Sequence, residues 1–357
     1  MKAVVLYGPG ELRVEEHPVP EPPRGWLLVR TVAVGICGTD KAFYRGTYRP
    51  PRLPLVPGHE AAGLVVAAPA GWDHLVGKLV VPEINLVDPA EMWREPCRSG
   101  LYIHCPPPTR RTLGIDTDGA MAEYFAAPPH LVHVAEGLAP ETAVLAEPLA
   151  AVLKAFTLEP LRPGDTAAVI GTGLLAFLAA QVMRRHGVEP VIVARRDSPK
   201  AKVFEEKGFH VARGRDEALE AARRLGRWGI GFDIVFEATG APEGTRLAVE
   251  LARPRAVVHL KSTHGVEAPL DQTAAVVKEL RLVGSRCGTG REFEEALSLL
   301  RTGALEPPPL ETLWGLERAP EAFRKAMERG VFRVVLRVSR LPWESRWPPP
   351  GWRGQRS

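Results

Sequence analysis

A short apolar run that leads directly into a glycine-rich turn and then into a helical pattern constrains the fold of this chain most strongly. Residues 167–170 (Ala-Ala-Val-Ile) predict a buried strand, and residues 174–186 predict a helix. Between them, Gly171 permits a tight turn and Gly173 lets the backbone approach a pyrophosphate group. The free N–H groups at the start of the helix would bind the phosphates. In this context the turn predicts a dinucleotide-binding site rather than an ordinary strand–helix connection. Its predicted cofactor-binding residues are Gly171, Gly173, Leu174 and Leu175.

Strand and helix patterns alternate after residue 166. Further strands are predicted at 190–193, 232–236, 256–260 and 280–283, with helices at 201–207 and 243–251. Such alternation is typical of a doubly wound parallel sheet, so the fold class is predicted to be α/β with a Rossmann domain. Two more helical patterns, 292–301 and 319–329, precede a last strand at 333–338. That last strand predicts a return of the chain to its first domain.

The first 150 residues read as short strands that are broken by proline and glycine. Examples are 2–6, 26–34, 60–67 and 78–81. This spacing favours a β-rich domain with long functional loops over βαβ units. The predicted division is a catalytic domain at 1–152, a dinucleotide-binding domain at 153–290, a return segment at 291–340 and a tail rich in Pro and Trp at 341–357. The tail lacks periodicity, and both disorder and packing of its Trp residues on a neighbouring surface stay open.

Composition narrows the function classes. The chain has 357 residues, a net charge of only +4 and charged residues of both signs interspersed, which argues against a nucleic-acid partner. No apolar stretch approaches the roughly 20 residues that cross a bilayer. The N-terminus lacks the order of a signal peptide, so a cytoplasmic location is expected. A single Asn and three Gln among 357 residues suggest a heat-adapted, thermophilic source.

The end of the second strand of the nucleotide-binding unit indicates which dinucleotide is bound. NAD-selective enzymes place an acidic residue there, roughly 20 residues after the glycine turn, to bind the ribose hydroxyls. Here the strand ends in Arg195 and Arg196. Two guanidinium groups would suit a ribose 2′-phosphate. We therefore predict a preference for NADP over NAD, with the two arginines at the cofactor; the alternative is that both only face solvent.

Three short motifs precede the glycine turn and carry residue types that bind zinc. They read Gly-Ile-Cys-Gly-Thr-Asp at 35–40, Pro-Gly-His-Glu at 57–60 and Ala-Glu-Pro-Leu at 146–149. A catalytic zinc takes three ligands from Cys, His and Glu and leaves one position open. Each residue alone is ordinary, because a lone Cys is more often a small buried apolar group. Their joint occurrence upstream of a dinucleotide turn favours a catalytic metal site.

On these motifs the chain resembles the zinc-containing medium-chain dehydrogenase/reductase family, which includes alcohol, threonine, polyol and glucose dehydrogenases. The resemblance covers nearly all of the chain to about Ser339 and implies a GroES-like catalytic domain followed by a Rossmann domain. It implies Cys37, His59 and Glu147 as ligands of one catalytic zinc per chain, and Glu60 as an exchangeable fourth ligand. Asp40 resembles the carboxylate that orients the ligating imidazole.

The resemblance also implies the reaction. Zinc lowers the pKa of the alcohol substrate, and a hydride passes between its carbon and the nicotinamide. Thr39 resembles the hydroxyl that passes the proton toward the nicotinamide ribose, although it could instead be an ordinary turn residue. Many relatives place a His three residues later to complete the relay. This chain has Ala42 there, so the proton would leave by another route, such as water.

Further residues are assigned by resemblance alone. Glu123, within the loop 112–124, matches a residue that touches sugar in glucose dehydrogenases, without establishing a sugar substrate. The segments 260–263 and 276–288 resemble a branch between the threonine and sugar dehydrogenases. The remaining predicted cofactor-binding residues are Thr239, Lys261, Ser262 and Arg333.

The pattern departs from the family at the lobe that often holds a structural zinc. Cys97 and Cys105 match the last two of four cysteine ligands, but Glu91 and Arg94 occupy the first two positions. Because Arg cannot ligate a metal, no structural zinc is expected. The alternative is a structural zinc with His104 or Asp88 as a substitute ligand. The two cysteines are then either free thiols or a disulfide.

Three functions follow from these patterns. The first is a zinc-dependent, NAD(P)-dependent oxidoreductase for an alcohol such as a polyol, a sugar or a hydroxy amino acid. The alternatives are a zinc-free quinone or enone reductase and a non-catalytic family member. Family analogy predicts a homodimer or homotetramer, with a small-molecule alcohol or carbonyl compound as the substrate.

Overall fold

The structure, a computed structural model, describes residues 1–342, so that most of the predicted tail at 341–357 lies outside the described residues. The first part of the chain is β-rich. Its strands are β1 Lys2–Gly8, β2 Glu11–Glu16, β3 Leu27–Gly35, β4 Glu60–Ala67, β5 Leu79–Pro82, β6 Asn85–Val87, β7 Arg110–Thr112, β8 Tyr124–Ala127 and β9 Val132–Val134. Its helices are α1 Gly38–Arg45, α2 Pro140–Ala143 and α3 Ala146–Leu158.

The second part alternates strands and helices. Its strands are β10 Ala167–Ile170, β11 Pro190–Ala194, β12 Val211–Arg213, β13 Phe232–Glu237, β14 Ala252–Leu260 and β15 Arg281–Gly284. Its helices are α4 Leu174–Arg185, α5 Ala201–Glu206, α6 Arg215–Leu225, α7 Glu243–Leu251 and α8 Gln272–Val277. The chain then forms α9 Gly290–Arg301, β16 Leu310–Trp314, α10 Ala319–Ala326 and β17 Arg333–Arg337.

The six strands of the second part form one parallel sheet in the order β12-β11-β10-β13-β14-β15. The chain moves outward from β10 through β11 and β12, then crosses to the other side of β10 at β13. This order creates a switch point at the carboxyl ends of β10 and β13, where ligands bind in open α/β sheets. The predicted Rossmann fold is confirmed.

The last strand returns to the first part of the chain. β17 pairs antiparallel with β3, with Val335 opposite Gly35, in a sheet ordered β16-β17-β3-β4-β5-β9, with β8 also paired to β3. In the structure the C-terminal segment thus pairs with the first part of the chain. Because β17 lies beside β3, side chains near residue 333 meet the loop that follows β3.

The two parts share a continuous apolar core. One cluster of buried side chains includes Ala62 of β4, Leu149 and Leu153 of α3, and Phe177 of α4. Helix α3 supplies the middle of this cluster and packs against α4 and α9. Burial of this apolar surface fixes the first residues of α3 against the catalytic domain.

Several elements differ from the sequence patterns. Helix α1 and strands β12 and β16 were not predicted. Strand β12 has only three residues, and most of β16 is exposed at a sheet edge. Neither strand therefore shows a clear alternation of apolar and polar residues. The strand predicted at 280–283 begins one residue later, because the Leu280 N–H donates to the carbonyl of Ala275 and closes the preceding turn. In residues 1–342, no helix combines the length and apolar character that a membrane span needs.

Candidate active site

Two loops at the same end of the catalytic sheet carry the predicted cysteine and histidine. Cys37 follows β3 and caps the N-terminus of α1, and His59 directly precedes β4. The register of the sheet places Gly35 opposite Glu60. Antiparallel pairing therefore brings together residues that are 22 positions apart in sequence.

A compact group of possible metal donors results. The sulfur of Cys37, a ring nitrogen of His59 and a carboxylate oxygen of Glu60 all lie within 4.8 Å of one another. His59 and Glu60 are buried, and His59 Nδ1 and Glu60 Oε1 lack a hydrogen-bond partner. Buried polar atoms without partners are costly. These orphaned donors and the mixture of Cys, His and Glu fit a zinc ion.

Glu147 lies beside this group at the start of α3. It is buried, and its charge interacts with those of His59 and Glu60. Burial and the neighbouring Glu60 raise the pKa of Glu147 to about 7, against the opposing effect of His59. Within residues 1–342, the compact donor group contains Glu60 rather than Glu147. The role of Glu147 as a zinc ligand stays a prediction.

Asp40 ties the two loops together. Its Oδ2 accepts the Cys37 N–H at 2.7 Å and its Oδ1 accepts the Gly58 N–H at 3.3 Å. The distance from Asp40 Oδ1 to His59 Nδ1 is 4.0 Å, too long for a hydrogen bond. Asp40 positions the peptide groups before the two ligand side chains, and its role in orienting the imidazole stays a prediction.

The electrostatic environment favours a cation at this position. Burial lowers the pKa of His59, but the charge and hydrogen bond of Cys37 and the charges of Asp40 and Glu147 raise it well above its usual value. The excess of negative groups around one imidazole is what a bound divalent cation would compensate.

Gly58, immediately before His59, has a backbone conformation that favours glycine. Its φ is +96°, and a Cβ there would lie 2.8 Å from Met121 Cγ and 2.9 Å from Val34 Cγ2. No larger residue fits, so the turn that presents His59 depends on glycine.

Thr39 occupies the first turn of α1 beside Cys37 and is half-buried. Ala42 follows one turn later in the same helix and offers no proton-transfer group. Thr39 as the proton-passing hydroxyl stays a prediction.

The glycine turn lies at the switch point of the parallel sheet. Gly171 has a φ of +119°, and a Cβ there would lie 2.6 Å from the carbonyl oxygen of Ala238, after β13. Gly173 caps α4, and a Cβ on it would meet no atom within 4 Å. The free space at this helix N-terminus, where Leu174 and Leu175 begin α4, is a cradle suited to a pyrophosphate.

Arg195 and Arg196 follow β11 and are both exposed. Arg196 Nη2 donates to Asp216 Oδ2 at 3.0 Å across the surface. The nearest acid after the strand, Asp197, lies 2.6 Å from Arg329 Nη2, and this hydrogen bond lowers the pKa of Asp197. The carboxylate at this strand end is therefore paired with a guanidinium group on the surface.

Sequence reasoning missed two lysines near the cofactor cleft. Burial and the charges of Lys41 and Arg333 lower the pKa of Lys200 to about 8. Burial also lowers the pKa of Lys41, and Arg333 adds to that effect. Three cations close together, two of them with lowered pKa values, form an environment for a phosphate group.

Arg333, predicted to bind cofactor, connects this cation group to the metal donors. Its Nη1 lies 3.0 Å from Glu60 Oε2 and also donates to the carbonyl of Ile36. The side chain is buried, and although burial opposes its charge, Glu60 and Cys37 raise the pKa of Arg333.

The other predicted cofactor residues lie at the carboxyl ends of β13 and β14. The hydroxyls of Thr239 and Ser262 both donate to Glu237 Oε1, at 2.6 and 2.9 Å. Glu237 is buried at the end of β13 and had not been predicted. Lys261 Nζ donates to the Ser285 carbonyl at 2.9 Å. The structure thus brings Thr239, Lys261 and Ser262 to the ligand-binding edge of the sheet.

Glu123 has a structural contact. Its Oε2 accepts the backbone N–H of Lys2 at 2.9 Å, at the edge of β1. Its assignment to the substrate stays a prediction.

Cys97 and Cys105 form a disulfide with a Cα–Cα distance of 5.7 Å, and both are buried. The alternative of two free thiols is wrong for this structure. Glu91 and Arg94 form an ion pair with each other. All four positions that match the ligands of a structural zinc in the family are engaged otherwise, and the absence of a structural zinc stays a prediction.

Comparisons with known proteins agree with this geometry. The family model of the alcohol dehydrogenase GroES-like domain matches residues 23–136, and that of the zinc-binding dehydrogenase matches residues 167–302.

Glucose 1-dehydrogenase of Thermoproteus tenax is 35% identical over 84% of this chain and 88% of its own length. Sorbitol dehydrogenase of Halalkalibacterium halodurans is 31% identical over 87% of this chain and 92% of its own. A zinc-binding dehydrogenase of Sinorhizobium meliloti, solved with NADP bound, superposes with a TM-score of 0.82 at 28% identity, covering 94% of this chain and 98% of its own. The chain belongs to the zinc-type alcohol dehydrogenase family, whose members transfer a hydride between an alcohol and NAD or NADP.

Proposed function

We propose that this chain oxidises a polyol, sugar or hydroxy amino acid with NADP as the preferred cofactor and one catalytic zinc ion. The observation that carries the proposal is the donor group of Cys37, His59 and Glu60, whose ligand atoms lie within 4.8 Å of one another. Cys37, His59 and Glu147 would hold the zinc, and Glu60 would exchange with the substrate oxygen. Zinc bound there would supply the Lewis acidity that lowers the pKa of the substrate hydroxyl.

The residues of the chain then have separate tasks. Asp40 holds the two ligand loops by accepting N–H groups from both. Thr39, in the first turn of α1, receives the proton of the substrate hydroxyl and passes it to water. Gly171 and Gly173 leave room for the pyrophosphate, and Arg333 contributes charge beside it.

The preference for NADP is supported by charge. Arg195 and Arg196 follow β11 without a free carboxylate, because Asp197 is paired with Arg329. A ribose 2′-phosphate would accept charge-assisted hydrogen bonds from the two arginines, whereas the neutral 2′-hydroxyl of NAD would form weaker hydrogen bonds with them. The relative from Sinorhizobium meliloti was solved with NADP.

A substrate panel tests the proposal. The purified, zinc-loaded protein is incubated with polyols, aldoses and threonine, each with NADP and with NAD, and nicotinamide reduction is followed by absorbance. We expect reduction with at least one alcohol, its loss after treatment with a chelator and its return with added zinc. Turnover of quinones or enones that resists the chelator would favour the zinc-free reductase instead. Tight NADP binding without turnover of any substrate would favour a non-catalytic protein.

We also propose that two copies of the chain associate through β15, in a homodimer or as half of a homotetramer. β15 is an edge strand of the six-stranded sheet, and the adjoining segment exposes Val266, Leu270, Val276 and Val277. An edge strand beside exposed apolar side chains is a surface that pairing with another chain would cover. Light scattering is expected to give the mass of two or four chains, and Val277→Glu is expected to shift it toward one. A single-chain mass at micromolar concentration would contradict this assembly.

Heat adaptation and a cytoplasmic location stay predictions from the sequence.

A further inference from the structure

Positive charges gather beyond the carboxyl ends of β14 and β15. Lys261 follows β14 directly, and its Nζ donates to the carbonyl and the hydroxyl of Ser285, which follows β15. The next residue in the chain is Arg286. The carboxyl edge of a parallel sheet is where ligands bind. Arg286 therefore stands at the mouth of the cleft between the two domains.

Arg286 reaches across this cleft to the catalytic domain. Its Nη2 donates to Asn85 Oδ1 at 3.0 Å, and Arg110 Nη1 donates to the same oxygen at 3.5 Å. Asn85 is buried at the first residue of β6 and pairs with Thr112 of β7. A single neutral oxygen thus receives hydrogen bonds from two guanidinium groups, each with a full positive charge.

Nearby negative charge balances this pair only in part, because Asp116 faces Arg110 alone. Asp116 Oδ2 lies 3.6 Å from Arg110 Nη1, and the other Asp116 oxygen accepts the N–H of Thr112. Among residues 1–342, no carboxylate lies within 4.0 Å of a side-chain nitrogen of Arg286. Burial lowers the pKa of Arg110, and the charge of Arg286 lowers it further. Arg286 is exposed and, within the described part of the chain, has no carboxylate partner of its own, so a bound anion could make charge-assisted hydrogen bonds with both guanidinium groups.

A series of electrostatic interactions connects the arginines to the metal donors. Cys287 interacts with Arg110 and with Lys261, and Lys261 interacts with Glu147. Glu147 in turn interacts with His59 and Glu60. Lys261 therefore lies between the arginine pair and the metal donors in this series of interactions.

We infer that Arg110 and Arg286 form an anion-binding subsite of the substrate pocket, so that the alcohol this chain oxidises carries a phosphate monoester or a carboxylate. The inference rests on the proposed dehydrogenase function and specifies its substrate class. Planar guanidinium groups bind oxyanions through paired, charge-assisted hydrogen bonds. The two arginines come from different domains, so the anion of the substrate would also bridge the cleft.

Matched substrates test the inference. Values of kcat/KM with NADP are measured for glucitol, glucitol 6-phosphate and gluconate, which present no anion, a phosphate and a carboxylate. Each is compared in the wild-type protein, Arg286→Gln, Arg110→Gln and the control Arg291→Gln. Arg291 is an exposed arginine at the start of α9 with the same charge. Thermal melting checks that each variant is folded. Arg110 also donates to the Cys105 carbonyl and so contributes to the local structure. Arg286→Gln is therefore the cleaner test.

We expect at least one anionic substrate to exceed glucitol in kcat/KM by about 10- to 100-fold, the size of one or two charge-assisted hydrogen bonds. Arg286→Gln is expected to remove most of that advantage through a higher KM, Arg286→Lys to restore part of it, and Arg291→Gln to leave it intact. An equal loss for charged and neutral substrates in Arg286→Gln would assign the arginine a structural role and overturn the inference. Turnover of glucitol without any gain for either anion would overturn it while leaving the dehydrogenase function standing. Absence of turnover with every alcohol would instead contradict the proposed function.

Discussion

Replacing His59 by alanine is expected to remove the zinc and to lower kcat/KM for alcohol oxidation by about a thousandfold or more, because Lewis acid stabilisation contributes several kcal/mol to such reactions. His59 supplies one of three donor atoms that lie within 4.8 Å of one another. Cys37→Ser is expected to act in the same direction, since a hydroxyl is a much poorer zinc ligand than a thiolate. Metal content by plasma emission spectrometry and steady-state kinetics give the two readouts.

A second histidine provides the matched control. His104 is exposed and lies between Cys97 and Cys105, so His104→Ala is expected to change neither metal content nor activity. The wild-type protein is expected to hold one zinc ion per chain. Full activity of His59→Ala without metal would remove the basis of the proposed mechanism. Two zinc ions per chain, with loss of one in His104→Ala, would show that the disulfide-containing lobe binds metal after all.

Replacing Arg195 by aspartate is expected to lower the ratio of kcat/KM with NADP to kcat/KM with NAD by about 100- to 1000-fold, from lost charge-assisted hydrogen bonds and added repulsion. The aspartate would repel the 2′-phosphate of NADP and accept hydrogen bonds from the ribose hydroxyls of NAD. Steady-state kinetics with both cofactors and one saturating alcohol measure the ratio.

Arg185→Asp is the appropriate control for this change. Arg185 is an exposed arginine in the last turn of α4, so the same change of charge is made away from the end of β11. The control should leave the cofactor ratio unchanged. A wild-type protein that already prefers NAD would contradict the assignment of Arg195, whatever the variant does.

Local sequence patterns predicted the elements whose signal lies within a few consecutive residues. The segment 167–186 shows an apolar strand, a glycine turn and a helical period within 20 consecutive residues. The structure places Gly171 in the backbone conformation that the turn requires. Cys37 and His59 were identifiable because each lies in a short motif with a resemblance to a known family.

Features that depend on long-range packing were not predictable in the same way. The position of Glu237 at the ligand-binding edge became visible only once the parallel sheet brought β13 beside β14 and placed Thr239 and Ser262 against it. The hydrogen bonds that Asp40 accepts from backbone N–H groups of both loops likewise depend on the folded sheet, which brings Gly58 to this carboxylate. Spacing alone left Cys97 and Cys105 undecided between free thiols and a disulfide, because only a folded lobe fixes their separation.

The position of Glu147 has a consequence for how the candidate metal ligands are held together. Cys37 and His59 sit on loops of the β-rich domain, whereas Glu147 begins α3, whose body packs on α4 and α9. The shared apolar core also holds the start of α3 against β4, so the carboxylate keeps its position relative to the sulfur and the imidazole. A substitution that loosens the packing of α3 far from the ligands would therefore weaken the ion site as well.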